Sequence, residues 1–168
     1  MCNVHSTIKD KSDIETVEQI IAVGYPHNIS YLDELLSRTC DPNWPVAGKI
    51  YQYFISLGVS EVERVKNITS GDTDYWWRHS IPVQIIACYD NATFERFTDG
   101  LISIARQADS EEYDIGALRI LSERNLVSDH EMAKRAKRNL FVYNLYIKET
   151  LNVAENAINK SPLSEHTL

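Results

Sequence analysis

Cysteine is scarce in this chain, with three among 168 residues, at Cys2, Cys40 and Cys88. An odd, widely spaced set makes neither a metal-binding pattern nor the disulfide framework of a small secreted domain. Cys88 sits in an apolar run, so its expected place is the core. No run of ~18 apolar residues exists, which excludes a membrane-spanning helix, and the polar N-terminus lacks a signal-peptide core. The chain has no phosphate-binding glycine loop and no Ser or Cys nucleophile elbow. His130-Glu131 is followed by Met132, Ala133 and Lys134, so the second histidine of a zinc helix is missing. The five histidines, His5, His27, His79, His130 and His166, are scattered. Positive charge is in the minority: 17 Lys and Arg stand against 24 Asp and Glu, for a net charge of −7. That argues against nucleic acid as a direct partner, because phosphate binding needs clustered cations. It suits a basic protein partner. The basic run Lys134-Arg135-Lys137-Arg138 spans barely one turn and reads as a solvated face. These absences lead us to expect a reduced, cytoplasmic protein without cofactor, metal or chemistry of its own.

What is present is helix. The composition is 43% hydrophobic and 24% charged, and the length is that of one domain able to bury a core. The stretch from Cys40 to Lys49 ends one helix and starts another. Pro42 disfavours helix at Asp41, Asn43 is the expected N-cap, Pro45 suits a first turn, and Trp44 is a large apolar anchor. Before it, Ser12 with Glu15 has the form of a capping box, and Ile14, Val17, Ile20 and Ile21 make a helical face ending near Gly24. Tyr25-Pro26 forces a turn. A second helix runs from Asn28 or Ser30 to Arg38 with Leu32, Leu35 and Leu36 inward.

The third helix is predicted from Trp44 to Leu57 on Ala47, Ile50, Phe54 and Leu57, with Gly58 as its stop. Ser60 is the expected cap of a fourth carrying Val62, Val65 and Ile68. A fifth segment, Tyr75 to Tyr89, is capped by Asp72 or Thr73. It places Trp77, Ile81, Ile85 and Cys88 on one face, and Pro82 inside it predicts a kink or two shorter helices. The sixth starts at Asn91 or Thr93 and carries Phe94, Phe97, Leu101, Ile104 and Ala108. A seventh holds Ile115, Leu118 and Leu121 and ends near Asn125. Ser128 can cap the last, whose apolar positions Ala136, Leu140, Tyr143, Ile147, Leu151, Ala154 and Ile158 keep helical spacing. Unbroken, it would run roughly 50 Å, so it bends, breaks near Asn144 or spans the whole stack. No convincing strand appears. Helix starts about thirty residues apart suggest an all-α stack of helix pairs of the HEAT kind, followed by a loose tail over 161–168.

Asp41-Pro-Asn43-Trp44-Pro45-Val46-Ala47, followed by Asp72-x-Asp74-Tyr75-Trp76-Trp77, resembles a bacterial family catalogued as a domain of unknown function and marked by an Asp-x-Asn-Trp-Pro-x-Ala element. The likeness covers about residues 8–107, with 109–160 reading as a helical extension of the same single domain. The resemblance implies a compact, HEAT-like helical fold with no established catalytic residues. It further implies an immunity protein that neutralises a cognate toxin, such as a cationic nuclease of contact-dependent inhibition, by masking its active surface. A scaffold or adaptor without a toxin partner, dimeric through the last helix, is the alternative.

Two clusters are candidates for partner binding. Asp72, Asp74, Tyr75 and Trp76 combine acidic and aromatic groups at one helix start, where Trp77 is the core member of the adjacent tryptophan pair. Glu111, Glu112, Tyr113 and Asp114 form an acidic cluster around one tyrosine. Both have a plainer account in helix capping and the helix dipole. Asp72 and Asp74 as paired carboxylates for acid–base work are the remaining reading.

Overall fold

The computed structural model describes residues 8–70, 75–106, 108, 113–125 and 127–160, and the side chains of these except at 68, 70, 75–79, 129 and 157–160. The chain is all-α, with no strand among the described residues. In order the helices are α1 (Ile14–Val23), α2 (Leu32–Ser37), α3 (Ala47–Leu57), α4 (Val62–Ser70), α5 (Tyr75–Gln84), α6 (Asn91–Glu95), α7 (Thr98–Ile104), α8 (Tyr113–Glu123) and α9 (Asp129–Lys160), with short 3-10 turns leading into α2 and α4 and following α5.

Local chemistry sets the ends. Asp13, not Ser12, caps α1, its carboxylate accepting from Thr16 N at 3.3 Å and from Lys9 N at 3.0 Å. These amide bonds, that from Lys9 foremost, hold the Asp13 carboxyl below its ordinary range. Gly24 and Gly58 close α1 and α3 at φ 75° and 53°, a conformation that costs glycine little. Asn43 does not cap α3. Asp41 accepts from the Asn43 amide at 2.9 Å, turns continue through Trp44 and Pro45, and Val46 is the residue before the helix. The short side chain at 41 reaches the amide first. Ser60 lies inside the 3-10 turn Gly58–Glu61, which runs directly into α4. The expected caps at Asp72 and Thr73 lie outside the described residues.

The apolar faces pack as their spacing requires. Val17, Ile20, Leu32, Leu35, Leu36, Ala47, Ile50, Phe54, Val62, Val65, Ile81, Ile85, Phe94, Phe97 and Leu101 are all buried in one core, with Trp44 partly buried against it. The α4–α5 pair lies against the α7–α8 pair, α4 touching α7 and α5 touching α8. Pro82 sits inside α5, which ends two residues later at Gln84. Two expectations are corrected. The sixth helix is two, α6 and α7, separated at Arg96 and Phe97, although the step of three and four survives the break. Cys88 is exposed, because the backbone leaves α-helix after Gln84 and the 3-10 turn Ile86–Cys88 takes its side chain off the inward face.

The C-terminal third carries the largest difference. In α8 the buried positions are Tyr113, Asp114, Ala117, Ile120 and Leu121, whereas Ile115 is exposed. The inward face is thus turned by one residue from the Ile115–Leu118–Leu121 stripe. Arg124 fastens the end of α8 to the corner between α5 and α6. Its guanidinium donates to the carbonyls of Ala87 and Tyr89 and to Asn91 Oδ1, and lies 4.9 Å from the centre of the Phe94 ring. Asn125 follows at φ 55°, a left-handed position asparagine tolerates. Ser128 Oγ accepts from the Glu131 amide at 3.4 Å, and α9 then runs unbroken through Asn144 for 32 residues.

Candidate interaction surface

The residues singled out in the sequence do not form one site among the described residues. Asp72, Asp74, Glu111 and Glu112 lie outside them. Tyr75 and Trp76 open α5, with their side chains outside the description. Tyr113 and Asp114 are buried, and this corrects their reading as a surface cluster.

Asp114 has instead a structural role. Its side chain is 0% exposed. One carboxylate oxygen accepts from the Tyr143 hydroxyl at 2.5 Å, and the other accepts from Asn139 Nδ2. Asn139, only 3% exposed, also donates to the Ala105 carbonyl at 3.3 Å. Charged acceptors make the stronger hydrogen bonds, and a buried carboxylate is tolerated where donors surround it. Arg135 adds a bond to the Ile102 carbonyl at 3.4 Å and an ion pair to Glu131 at 3.8 Å, while Met132 is the apolar contact. The first half of α9 therefore stands on α7 and α8 through Met132, Arg135, Asn139 and Tyr143. Lys134, Lys137 and Arg138 point to solvent.

Beyond Tyr143 that footing ends, and every described side chain from Asn144 to Asn156 is exposed. Seven large apolar side chains stand in water on this one helix: Leu140, Phe141, Leu145, Tyr146, Ile147, Leu151 and Val153, each at 50% exposure or more. Tyr146 and Val153 continue the face that holds the body, and Leu140, Ile147 and Leu151 lie to one side of it. Phe141 and Leu145 lie on the reverse, as 100° per residue requires. Scattered apolar residues on a surface are ordinary, but a contiguous strip marks a contact.

Elsewhere a cavity of about 200 Å³ lies between α4 and the α6–α7 break, lined by Lys66, Thr69, Phe97 and Ile104 among others. Its two cations, Lys66 and Arg96, both pair with Glu63, at 3.3 and 3.6 Å, so its charge is already answered from within. No group of three His, Cys, Asp or Glu side chains suited to a metal ion occurs among the described residues, and no described helix is long and apolar enough to cross a membrane.

A protein-family model matches the chain. No curated protein and no solved structure matches it. The match spans residues 7–126. It takes in α8, beyond the 8–107 over which the motif likeness runs, and stops short of α9. The chain belongs to the family described as a domain of unknown function, DUF5071.

Proposed function

We propose that this protein has no chemistry of its own and acts by holding another protein chain along α9. The observation that carries this reading is the strip of large apolar side chains left in solvent beyond Tyr143, on a helix whose own first half is firmly seated. A helix of 32 residues is longer than its seat requires. Leaving that much apolar surface wet is unfavourable at ~25 cal/mol per Å², and a partner's surface removes the cost. A photo-reactive residue in place of Ile147 tests the reading in living cells. The expected result is a discrete protein adduct, lost when Leu151 is also replaced by Glu, and no adduct from an equivalent probe at Gln52 on α3. Absence of any protein adduct from position 147 overturns it.

A second reading, neutralisation of a basic toxin, is favoured by charge. Six Lys and Arg stand against four Asp and Glu in α9, but eleven against twenty in the rest of the chain. The acidic excess therefore belongs to the body, where it would steer a cationic partner. Expression beside the product of a neighbouring toxin-like gene is its test. Restored growth is expected, and undiminished killing at saturating expression refutes it.

A further inference from the structure

We propose that the cavity between α4 and the α6–α7 break binds a free apolar amino acid of leucine size, independently of what α9 holds. Its size and walls set the class of ligand. A cavity of about 150 Å³ with hydrocarbon walls takes a benzene molecule. This one, at about 200 Å³, has room for a branched aliphatic side chain. Phe97, Leu101 and Ile104, along α7 and its entry, give it an apolar floor, and Ile86 joins them from the 3-10 turn after α5. Apolar walls with a few placed polar groups are the ordinary make-up of a small-molecule site.

The polar groups of the lining are charges of both signs. Lys66 and Arg96 share the single carboxylate of Glu63, at 3.3 and 3.6 Å, which leaves one positive charge over. Asp99, also in the lining, balances it without touching it. Opposite charges three residues apart on a helix are neighbours and commonly pair. Here Arg96 reaches across to Glu63 on α4 instead, and Asp99 takes no ion-pair partner among the described residues. The cavity is thus neutral in sum, with its charges held apart. A lone anion or cation would upset that sum. A zwitterion answers both signs, its carboxylate to Arg96 and Lys66 and its ammonium to Asp99, through charge-assisted hydrogen bonds.

Gly100 keeps the site open. It lines the cavity from within α7, three residues after Phe97 and four before Ile104, and so shares their side of the helix. Glycine weakens a helix interior relative to alanine, and no protein contact demands it here. Its φ is not positive, and a Cβ added to it would meet no atom within 4 Å. A side chain at this position would stand in the space that the ligand needs.

Titration of the full nitrogen-15-labelled chain with L-leucine, followed by amide chemical shifts, tests this. A ligand so small should bind at about 1 mM, with saturable shifts centred on residues 66, 69, 86 and 96–104. Glycine, N-acetyl-L-leucine and L-leucinamide lack the side chain, the ammonium and the carboxylate in turn, and each should bind at least about tenfold more weakly. Asp99→Asn should weaken L-leucine about tenfold and leave N-acetyl-L-leucine unchanged, whereas Arg96→Gln should weaken L-leucine and leave L-leucinamide unchanged. Gly100→Leu should abolish binding while keeping the helical signal and melting temperature, because the new side chain enters empty space. The absence of a saturable shift at about 20 mM L-leucine, roughly twenty times the expected constant, overturns the proposal. So does binding of N-acetyl-L-leucine or L-leucinamide as tight as that of L-leucine, or a Gly100→Leu chain that binds like wild type.

Discussion

Replacing Asp114 by Ala should loosen α9 before it unfolds the body. The carboxylate serves two donors, the Tyr143 hydroxyl and Asn139 Nδ2. Removing one partner from a buried donor costs about 1–3 kcal/mol, because the orphan keeps its desolvation penalty. Asn139 is 3% exposed and has no route to water, so its share lies high in that range. Tyr143 is half-buried and can turn its hydroxyl outward, so its share lies low. The sum is about 2–4 kcal/mol, and for a domain of this length each kcal/mol moves the melting temperature by about 2–4 °C. Urea and thermal unfolding at 222 nm measure the total, and amide exchange in residues 131–143 locates it. A companion variant, D114L/N139L/Y143F, removes donors and acceptor together and should recover most of the loss, since an apolar replacement of both partners can be close to neutral. A D114A protein within about 0.5 kcal/mol of wild type, the range of an inert surface change, would refute the reasoning. So would unaltered exchange in α9.

Arg124→Ala should cost about 2–3 kcal/mol in urea unfolding, from loss of charge-assisted bonds to the Ala87 and Tyr89 carbonyls and Asn91. Arg124→Lys should recover little of it, because an ammonium lacks the planar fork. Thiol titration of the native protein should show prompt modification at exposed Cys88 and slower reaction at half-buried Cys40, with C88S removing the prompt reaction at that site. Burial pushes the Tyr51 hydroxyl up to about 12 and raises Tyr89 as well. The native state then holds protons that the unfolded chain releases near pH 10. Their stabilising share is complete below pH 10 and declines as pH rises from 10 to 12, by up to about 1.4 kcal/mol per unit for each tyrosine. The difference between wild type and Y51F, followed by denaturant titration at each pH, should narrow over that window.

The fold was legible wherever apolar spacing and local capping agreed. The leucines of α2, the Ala47–Phe54 face of α3 and the Phe94–Phe97–Leu101 line all stand buried where their period puts them. Starts were less secure, because several polar side chains compete for the same free amides. Asp13 wins over Ser12 since its carboxylate also gathers the Lys9 amide, and Asp41 takes the Asn43 amide before Asn43 can act as a cap. Breaks inside a steady period, such as that at Arg96 and Phe97, leave no trace in it: a 3-10 turn shifts the inward direction little over so few residues. Cys88 failed for a related reason. It continues the α5 period, but the backbone that would realise that period ends at Gln84.

The candidate surface was misread for a physical reason, and the misreading points to the right feature. Charge at 111, 112 and 114 suggests a solvated helix start, although at 100° per residue Asp114 stands only about 40° round the helix from Leu118. Tertiary structure turns the inward face by one residue, to 113, 114, 117, 120 and 121, and Asn139 and Tyr143 on α9 bring the donors a buried carboxylate needs. No local rule can see donors 25 and 29 residues away. Yet α9 itself carries the signal. Asn139 and Tyr143 lie four residues apart, one turn of helix, and beyond them the same stripe passes through Tyr146, Thr150 and Val153, all exposed. A helix whose first half is tied down by buried hydrogen bonds and whose second half carries Leu145, Tyr146, Ile147, Leu151 and Val153 into solvent has two consecutive tasks. The polar part fixes the helix to its own body in one register, since only that register satisfies Asp114. The apolar part, which fixes no register against the body, is free to meet a surface outside it.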